Sequence, residues 1–215
     1  MPDRRHRLAA RVTTVISPPL RRAARAFFDY ELTGSEHVPT DGGLVVAANH
    51  LSHIDPVVVT ASIGRDVRYI ALDELFGNRA VFDAVTLFFG AIPTDRDGTP
   101  IGALKEAIEH VRAGGVVGLF PEGRRVSYWG ETAPKRGAAW LSWMTGAPLL
   151  PVTIHGAHRT LSPASNEAIK RPSLRVWIDR PLTWSDYAGM VDPVGAMTDE
   201  WRARVGTHLA VWWSR

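Results

Sequence analysis

The chain predicts an α/β fold: one layered domain with a mostly parallel or mixed central sheet flanked by helices, preceded by an amphipathic helical segment. Three observations carry this. Leu44–Ala48, Val116–Phe120 and Leu149–Ile154 are almost wholly apolar runs bounded by glycine, proline or polar turn residues, the signature of strands buried on both faces. Between two of them, Pro100–Ala113 repeats Ile101, Leu104, Ala107, Ile108 and Val111 with the roughly 3.6-residue period of a helix that has one apolar face. Strands alternating with such helices argue for layers rather than a sandwich or a bundle.

Taken in order, residues 1–30 form the helical segment and residues 31–215 the domain. In the first part, Leu8, Val12, Val15 and Ile16, and after Pro18-Pro19 the set Leu20, Ala23, Ala24, Phe27 and Phe28, recur at helical spacing, with arginines on the other faces. Tyr30–Gly34 reads as a short strand and turn. Leu44–Ala48 follows Gly42-Gly43 and runs into Asn49-His50-Leu51-Ser52-His53-Ile54-Asp55-Pro56. Val57–Ile63 reads as a helix, Val67–Ala71 as a strand and Asn78–Leu87 as a helix. The helix over Pro100–Ala113 stops at Gly114-Gly115 and leads into Val116–Phe120. Gly137–Thr145 is helical, Leu149–Ile154 and Leu174–Ile178 are strands, and Trp201–Trp213 is a closing helix.

Composition narrows the chemistry. Apolar residues make up 45% of the chain and charged residues 22%, ordinary values for a globular protein. There is no cysteine, which excludes disulfides, thiolate metal sites and a cysteine nucleophile and is compatible with a cytosolic setting. No secretory signal is recognisable. The net charge of +3 is uneven: residues 1–30 carry seven arginines against Asp3 and Asp29, a balance of +5, so the remainder sits near −2. Arginine every few positions excludes a spanning helix in that segment. Basic and apolar faces side by side suit a helix lying in an anionic membrane interface; a terminal helix packed on the domain with a solvated basic face is the alternative. No motif supports nucleic-acid binding.

The stretch after Leu44–Ala48 carries most of the chemistry. A histidine and an aspartate stand where a strand ends and a helix begins, the edge at which α/β sheets collect ligands. A carboxylate fixes an imidazole's tautomer and stabilises its protonated form, and His50 and Asp55 are close enough to meet across one turn. Against that, Asp55-Pro56 also looks like an N-cap followed by proline at the first helical position. His50, His53 and Asp55 could also serve as two imidazoles and a carboxylate around a metal, although no downstream histidine–carboxylate cluster completes such a set.

Asn49-His50-x-Ser52-x-x-Asp55 resembles the His-x4-Asp box of the glycerolipid acyltransferases, the lysophosphatidate (1-acylglycerol-3-phosphate) acyltransferase family. Three further stretches resemble that family's later blocks in order: Gly90–Arg96, Phe120–Arg125 and Ala147–Val152. The resemblance covers about Leu32 to Leu182, and four blocks in sequence, each at a strand end, are a strong signal.

The resemblance implies transfer of a fatty acyl group from a thioester, acyl-CoA or acyl-carrier protein, to the free hydroxyl of a lysophospholipid, most simply 1-acyl-sn-glycerol 3-phosphate. No other cofactor and no metal is implied. His50 would be the general base and Asp55 its orienting partner, with direct transfer, since the chain has neither cysteine nor a Gly-x-Ser-x-Gly elbow. Ser52 is a cap or turn hydroxyl on this reading. Arg96, Arg125 and Lys135 would grip the acceptor's phosphate, arginine being suited to bidentate contacts. Glu122-Gly123 would form the turn that holds its glycerol phosphate. Pro148 and Pro151 would shape the donor side. The expected location is cytoplasmic, on the cytoplasmic face of the membrane and attached through residues 1–30. Other lysolipid or glycolipid acceptors, a metal-dependent hydrolase, and a non-catalytic membrane-docked lipid-binding protein are the alternatives. The third block departs from the usual pattern, with Arg124, Arg125 and Val126 where threonine, arginine and serine are common. A Val126–Gly130 stretch carrying Tyr128 and Trp129 follows it, and Pro93-Thr94-Asp95 is atypical in the second block.

Overall fold

A computed structural model describes residue 22 and residues 29–72, 92–94, 101–159 and 173–213. Its strands are β1 (Asp29–Thr33), β2 (Leu44–Ala48), β3 (Val67–Leu72), β4 (Ile92–Thr94), β5 (Val116–Leu119), β6 (Leu149–His155) and β7 (Ser173–Ile178). Its α-helices are α1 (Asp55–Ile63), α2 (Ile101–Arg112), α3 (Gly137–Thr145) and α4 (Pro193–Trp213). The strands form one seven-stranded sheet in the order β1-β7-β6-β2-β5-β3-β4. Every pairing is parallel except β6 with β7, so the sheet is mixed.

β2 lies between β5 and β6 and is buried along its whole length. Because side chains alternate along a strand, Val45 and Ala47 join one core while Leu44, Val46 and Ala48 join the other. The first core is covered by α2, α3 and α4, with Ala107, Val111, Leu141, Met197, Trp201, Val205 and Leu209. The second is covered by α1, with Val58, Val59 and Ile63. A strand sandwiched in this way has no solvent face, which is why its sequence is a run rather than an alternation.

The connections place the functional edge. From β2 the chain crosses one face through α1 towards β3; from the neighbouring β5 it crosses the opposite face through α3 towards β6. The two loops therefore part at the carboxyl ends of β2 and β5, leaving the crevice of a topological switch point. Among the described residues no helix is long and apolar enough to cross a membrane.

Most strand and helix expectations coincide with these elements to within a residue or two. The closing helix is the largest difference: it begins at Pro193 rather than Trp201. An Asp192 carboxylate oxygen accepts the Gly195 N–H at 2.9 Å, a cap followed by proline at the first helical position. The basic segment expected over 1–30 ends earlier than anticipated, because Asp29 and Tyr30 pair with Ser173 and Leu174 in the sheet. Its remaining residues, apart from residue 22, and the expected helix at Asn78–Leu87 lie outside the described residues.

Candidate active site

The turn leaving β2 is fastened to the neighbouring strand before any chemistry begins. Asn49, fully buried, donates its amide to the Ile154 carbonyl at 2.9 Å and accepts the Ile154 N–H at 2.7 Å. One side chain thus replaces a rung of the ladder where β2 turns away from β6, and it fixes the starting point of residues 50–55. The motif contained this asparagine, but nothing in the sequence said that its partner would be a strand about a hundred residues away.

His50 and Asp55 meet as the spacing predicts, with His50 Nδ1 2.9 Å from Asp55 Oδ2. The carboxylate is wholly buried and the imidazole is 18% exposed. The same Oδ2 also accepts the backbone N–H groups of Leu51 at 2.8 Å and Ser52 at 2.7 Å. Asp55 therefore does not cap α1, whose first turn has no side-chain cap. Its carboxylate reaches backward and ties together the turn that carries the histidine. With Nδ1 donating to the carboxylate, the distal nitrogen Nε2 is the one left for chemistry.

The ring is also held on its flat side. His50 stacks on Phe120, centroids 4.1 Å apart and 18° from parallel, and Phe120 in turn stacks on Tyr69 at 5.6 Å. Phe120 is the residue just beyond β5, so neighbouring strands supply the imidazole and the surface it rests on.

Glu122 was expected to sit in an acceptor-binding turn, or else simply to be exposed. The structure buries it, 4% exposed, with Oε1 accepting the His50 backbone N–H at 3.2 Å. Burial, reinforced by the nearby Asp55 carboxylate, pushes its carboxyl up from 4.5 to about 7, against the pull of its backbone hydrogen bonds. The His50 carbonyl accepts the Val126 N–H at 2.9 Å. The third-block turn thus holds both backbone groups of the histidine. Ser52 is likewise buried, its N–H given to Asp55.

The expected cations fall into three groups. Arg125 and Lys135 are exposed on the turns beside His50. Lys135 donates its backbone N–H to the Pro121 carbonyl at 2.7 Å, and its side chain lies across Gly123. Gly123 has φ 71° and its Cβ position would fall 2.5 Å from Lys135 Cε, so both backbone and space call for glycine there. Arg124, the extra arginine, is engaged with Glu131 at 2.5 Å. Arg96 lies outside the described residues. His53 is exposed, and its imidazole is held below its ordinary value by partial burial and then by the positive charge of Arg125, which sets Arg125 electrostatically next to this turn. Among the described residues no three His, Asp or Glu side chains converge as metal ligands; His50 and Asp55 spend themselves on one another.

Comparison with known proteins identifies the family and the fold. The family described as "Acyltransferase" matches residues 29–155. The chain is 32% identical over 176 residues to the 1-acyl-sn-glycerol-3-phosphate acyltransferase of Bacillus subtilis (strain 168), covering 79% of this chain and 83% of that protein. It is 29% identical over 187 residues to the chloroplastic 1-acyl-sn-glycerol-3-phosphate acyltransferase BAT2 of Brassica napus, 85% of this chain but 52% of that longer protein. The crystal structure of the 1-acyl-sn-glycerophosphate (LPA) acyltransferase PlsC from Thermotoga maritima shares the fold with a TM-score of 0.74 at 24% identity, over 98% of this chain and 84% of that one.

Proposed function

The chain belongs to the acyltransferase family, and from that premise we propose that it moves a fatty acyl group from a thioester donor to the free hydroxyl of 1-acyl-sn-glycerol 3-phosphate, giving phosphatidate. The observation that carries this is the His50–Asp55 pair, a fully buried carboxylate 2.9 Å from Nδ1 of an imidazole open at the sheet's carboxyl edge.

The residues act as follows. Asp55 holds the proton on Nδ1, so Nε2 accepts the proton of the acceptor hydroxyl as its oxygen attacks the thioester carbonyl. The imidazolium formed is stabilised by the carboxylate behind it and the ring stack beside it. Collapse of the tetrahedral intermediate breaks the carbon–sulfur bond, and Nε2 returns its proton to the departing thiolate. Transfer is direct, because the chain has no cysteine and Ser52 is buried. Arg125 and Lys135, with Arg96, offer the phosphate a cluster of charge-assisted donors. Glu122 positions His50 by accepting its backbone N–H at the acceptor side of the turn. Acyl-CoA and acyl-carrier protein both fit as donors.

Purified protein given labelled acyl-CoA or acyl-carrier protein and a panel of lysolipids should acylate the phosphate monoester acceptor well ahead of neutral or glycosylated ones. Equal use of a phosphate-free monoacylglycerol would overturn the acceptor assignment.

Attachment to the cytoplasmic face of an anionic membrane through residues 1–30 belongs to the same proposal. Each near-surface arginine is worth about 1 kcal/mol there, screened by salt. Deleting residues 1–26 should leave a folded enzyme that acylates micellar acceptor but no longer sediments with anionic liposomes. Unchanged liposome binding, or loss of folding, would contradict the anchor.

A further inference from the structure

The third block presents two adjacent arginines, and the structure uses them differently. Arg124 Nη2 donates to Glu131 Oε1 at 2.5 Å, while the other oxygen of the same carboxylate, Oε2, accepts the Ser127 N–H at 2.6 Å. These bonds hold the Glu131 carboxyl below its ordinary value, the Ser127 N–H first and then Arg124. The loop closes on itself: the Glu131 N–H reaches the Tyr128 carbonyl at 3.3 Å over Gly130, whose φ of 90° suits the third position of such a turn. It is also anchored at two points. Val126 is buried and gives its N–H to the His50 carbonyl, and Trp129 packs edge-on against the buried Trp201 of α4 at 5.6 Å.

Arg125 sits between these fixings. The residue before it is clamped by Glu131 and the residue after it is bonded to the catalytic turn. Arg125 itself is exposed, with no hydrogen bond or ion pair among the described residues. We propose that Glu131 is a positioning residue: it closes residues 124–131 into a clasp in which Arg124 is a strut and, of the two adjacent arginines, Arg125 is the one presented to the acceptor's phosphate. The atypical extra arginine then adds no charge to the pocket; it secures the arginine beside it. The assignment of Arg125 to phosphate rests on the acyl-transfer reading above, whereas the clasp rests on the contacts just described.

The test combines a structural and a kinetic readout on the full-length protein. Hydrogen exchange of residues 126–131 should accelerate strongly in Glu131→Ala and less in Glu131→Gln, which keeps an acceptor for the Ser127 N–H. Steady-state kinetics with 1-acyl-sn-glycerol 3-phosphate should show the acceptor KM rising about 10-fold in both Arg124→Gln and Glu131→Ala, and no further in the double variant, because coupled residues act as one unit. The kcat and the donor KM should stay within about twofold, as expected when ground-state grip alone is lost. Multiplying effects in the double variant would overturn the proposal by making Arg124 a phosphate ligand in its own right. So would unaltered exchange in Glu131→Ala. If wild-type protein acylates no phosphate-bearing acceptor, the acyl-transfer reading fails, and the exchange rates still decide whether Glu131 closes the clasp.

Discussion

Among the described residues two histidine–aspartate pairs are hydrogen-bonded, and their differences show why only one of them is the candidate catalytic centre. His50 meets Asp55 through Nδ1 at 2.9 Å; His208 of α4 meets Asp179, just past β7, through Nε2 at 3.0 and 3.1 Å. Both rings stack on an aromatic neighbour, Phe120 at 4.1 Å and Trp177 at 4.4 Å. In the second pair the distal nitrogen is the one spent on the carboxylate. In the first pair the proximal nitrogen is spent and the distal one is free. Asp55 is fully buried and takes two further backbone N–H groups; Asp179 and His208 are both partly exposed. The first pair also stands at the switch point of the sheet, while the second ties a helix to a strand end. The proposed base is thus the histidine whose carboxylate is fixed, whose outer nitrogen is the free one, and in front of which the fold leaves a crevice.

The largest expected effect separates the pairs outright. His50→Ala should lower kcat by about 10²–10⁴-fold, the usual contribution of a general base, with thermal stability nearly unchanged. His208→Ala should do the reverse, leaving kcat within about twofold and costing about 1 kcal/mol of stability, read from denaturant unfolding. Similar losses of activity in both would erase the distinction.

A second comparison sets an available arginine against an engaged one. Arg125→Ala should raise the acceptor KM by roughly 10- to 150-fold, the equivalent of about 1.5–3 kcal/mol for a charge-assisted bond to phosphate. Arg204, near the second pair, donates to Glu200 at 2.7 Å and to the Arg180 carbonyl at 2.9 Å; Arg204→Ala should leave both KM values alone. A rise in the donor KM equal to that in the acceptor KM for Arg125→Ala would misplace the phosphate pocket.

The third contrast concerns the buried support behind His50 and is read in stability rather than in activity. Glu122 releases its proton near 4.5 when unfolded and at about 7 when folded. Between those values the folded chain holds a proton that the unfolded chain has lost. Its contribution is therefore most favourable below about pH 4.5 and declines until about pH 7, by on the order of 3 kcal/mol at most. Glu122→Gln keeps an acceptor for the His50 N–H and removes the titration. The difference in stability between wild type and Glu122→Gln, measured from pH 4 to pH 8, should grow over that window and then level off. A flat difference would mean that the carboxyl is not held neutral by burial.

Much of this was legible in the chain. The apolar runs at Leu44–Ala48, Val116–Leu119 and Leu149–His155 announce strands because two-sided burial removes the polar alternation. The His50–Asp55 contact is local, so spacing alone predicts it. The partnerships that turn the pair into a site are long-range: Asn49 with Ile154, and His50 with Phe120 and Glu122. Spacing along the chain does not encode such contacts; they follow from strand order, and the β6–β7 reversal shows that strand direction is equally silent in a run of apolar residues. Asp179 and His208 lie in no motif for the same reason. The early start of α4 did have a signal, Asp192-Pro193, together with Met197, Trp201, Val205 and Leu209 four residues apart.

The central claim is that Asp55 holds the proton on Nδ1 of His50 and leaves Nε2 as the base. The most direct measurement is the ¹⁵N spectrum of protein carrying labelled histidine, at a pH where the ring is neutral, with the His50 signals assigned by difference from His50→Ala. A protonated Nδ1 coupled to an unprotonated Nε2, and loss of that tautomer preference in Asp55→Asn, is the predicted result. A proton on Nε2 of His50 in the wild-type protein would contradict the account.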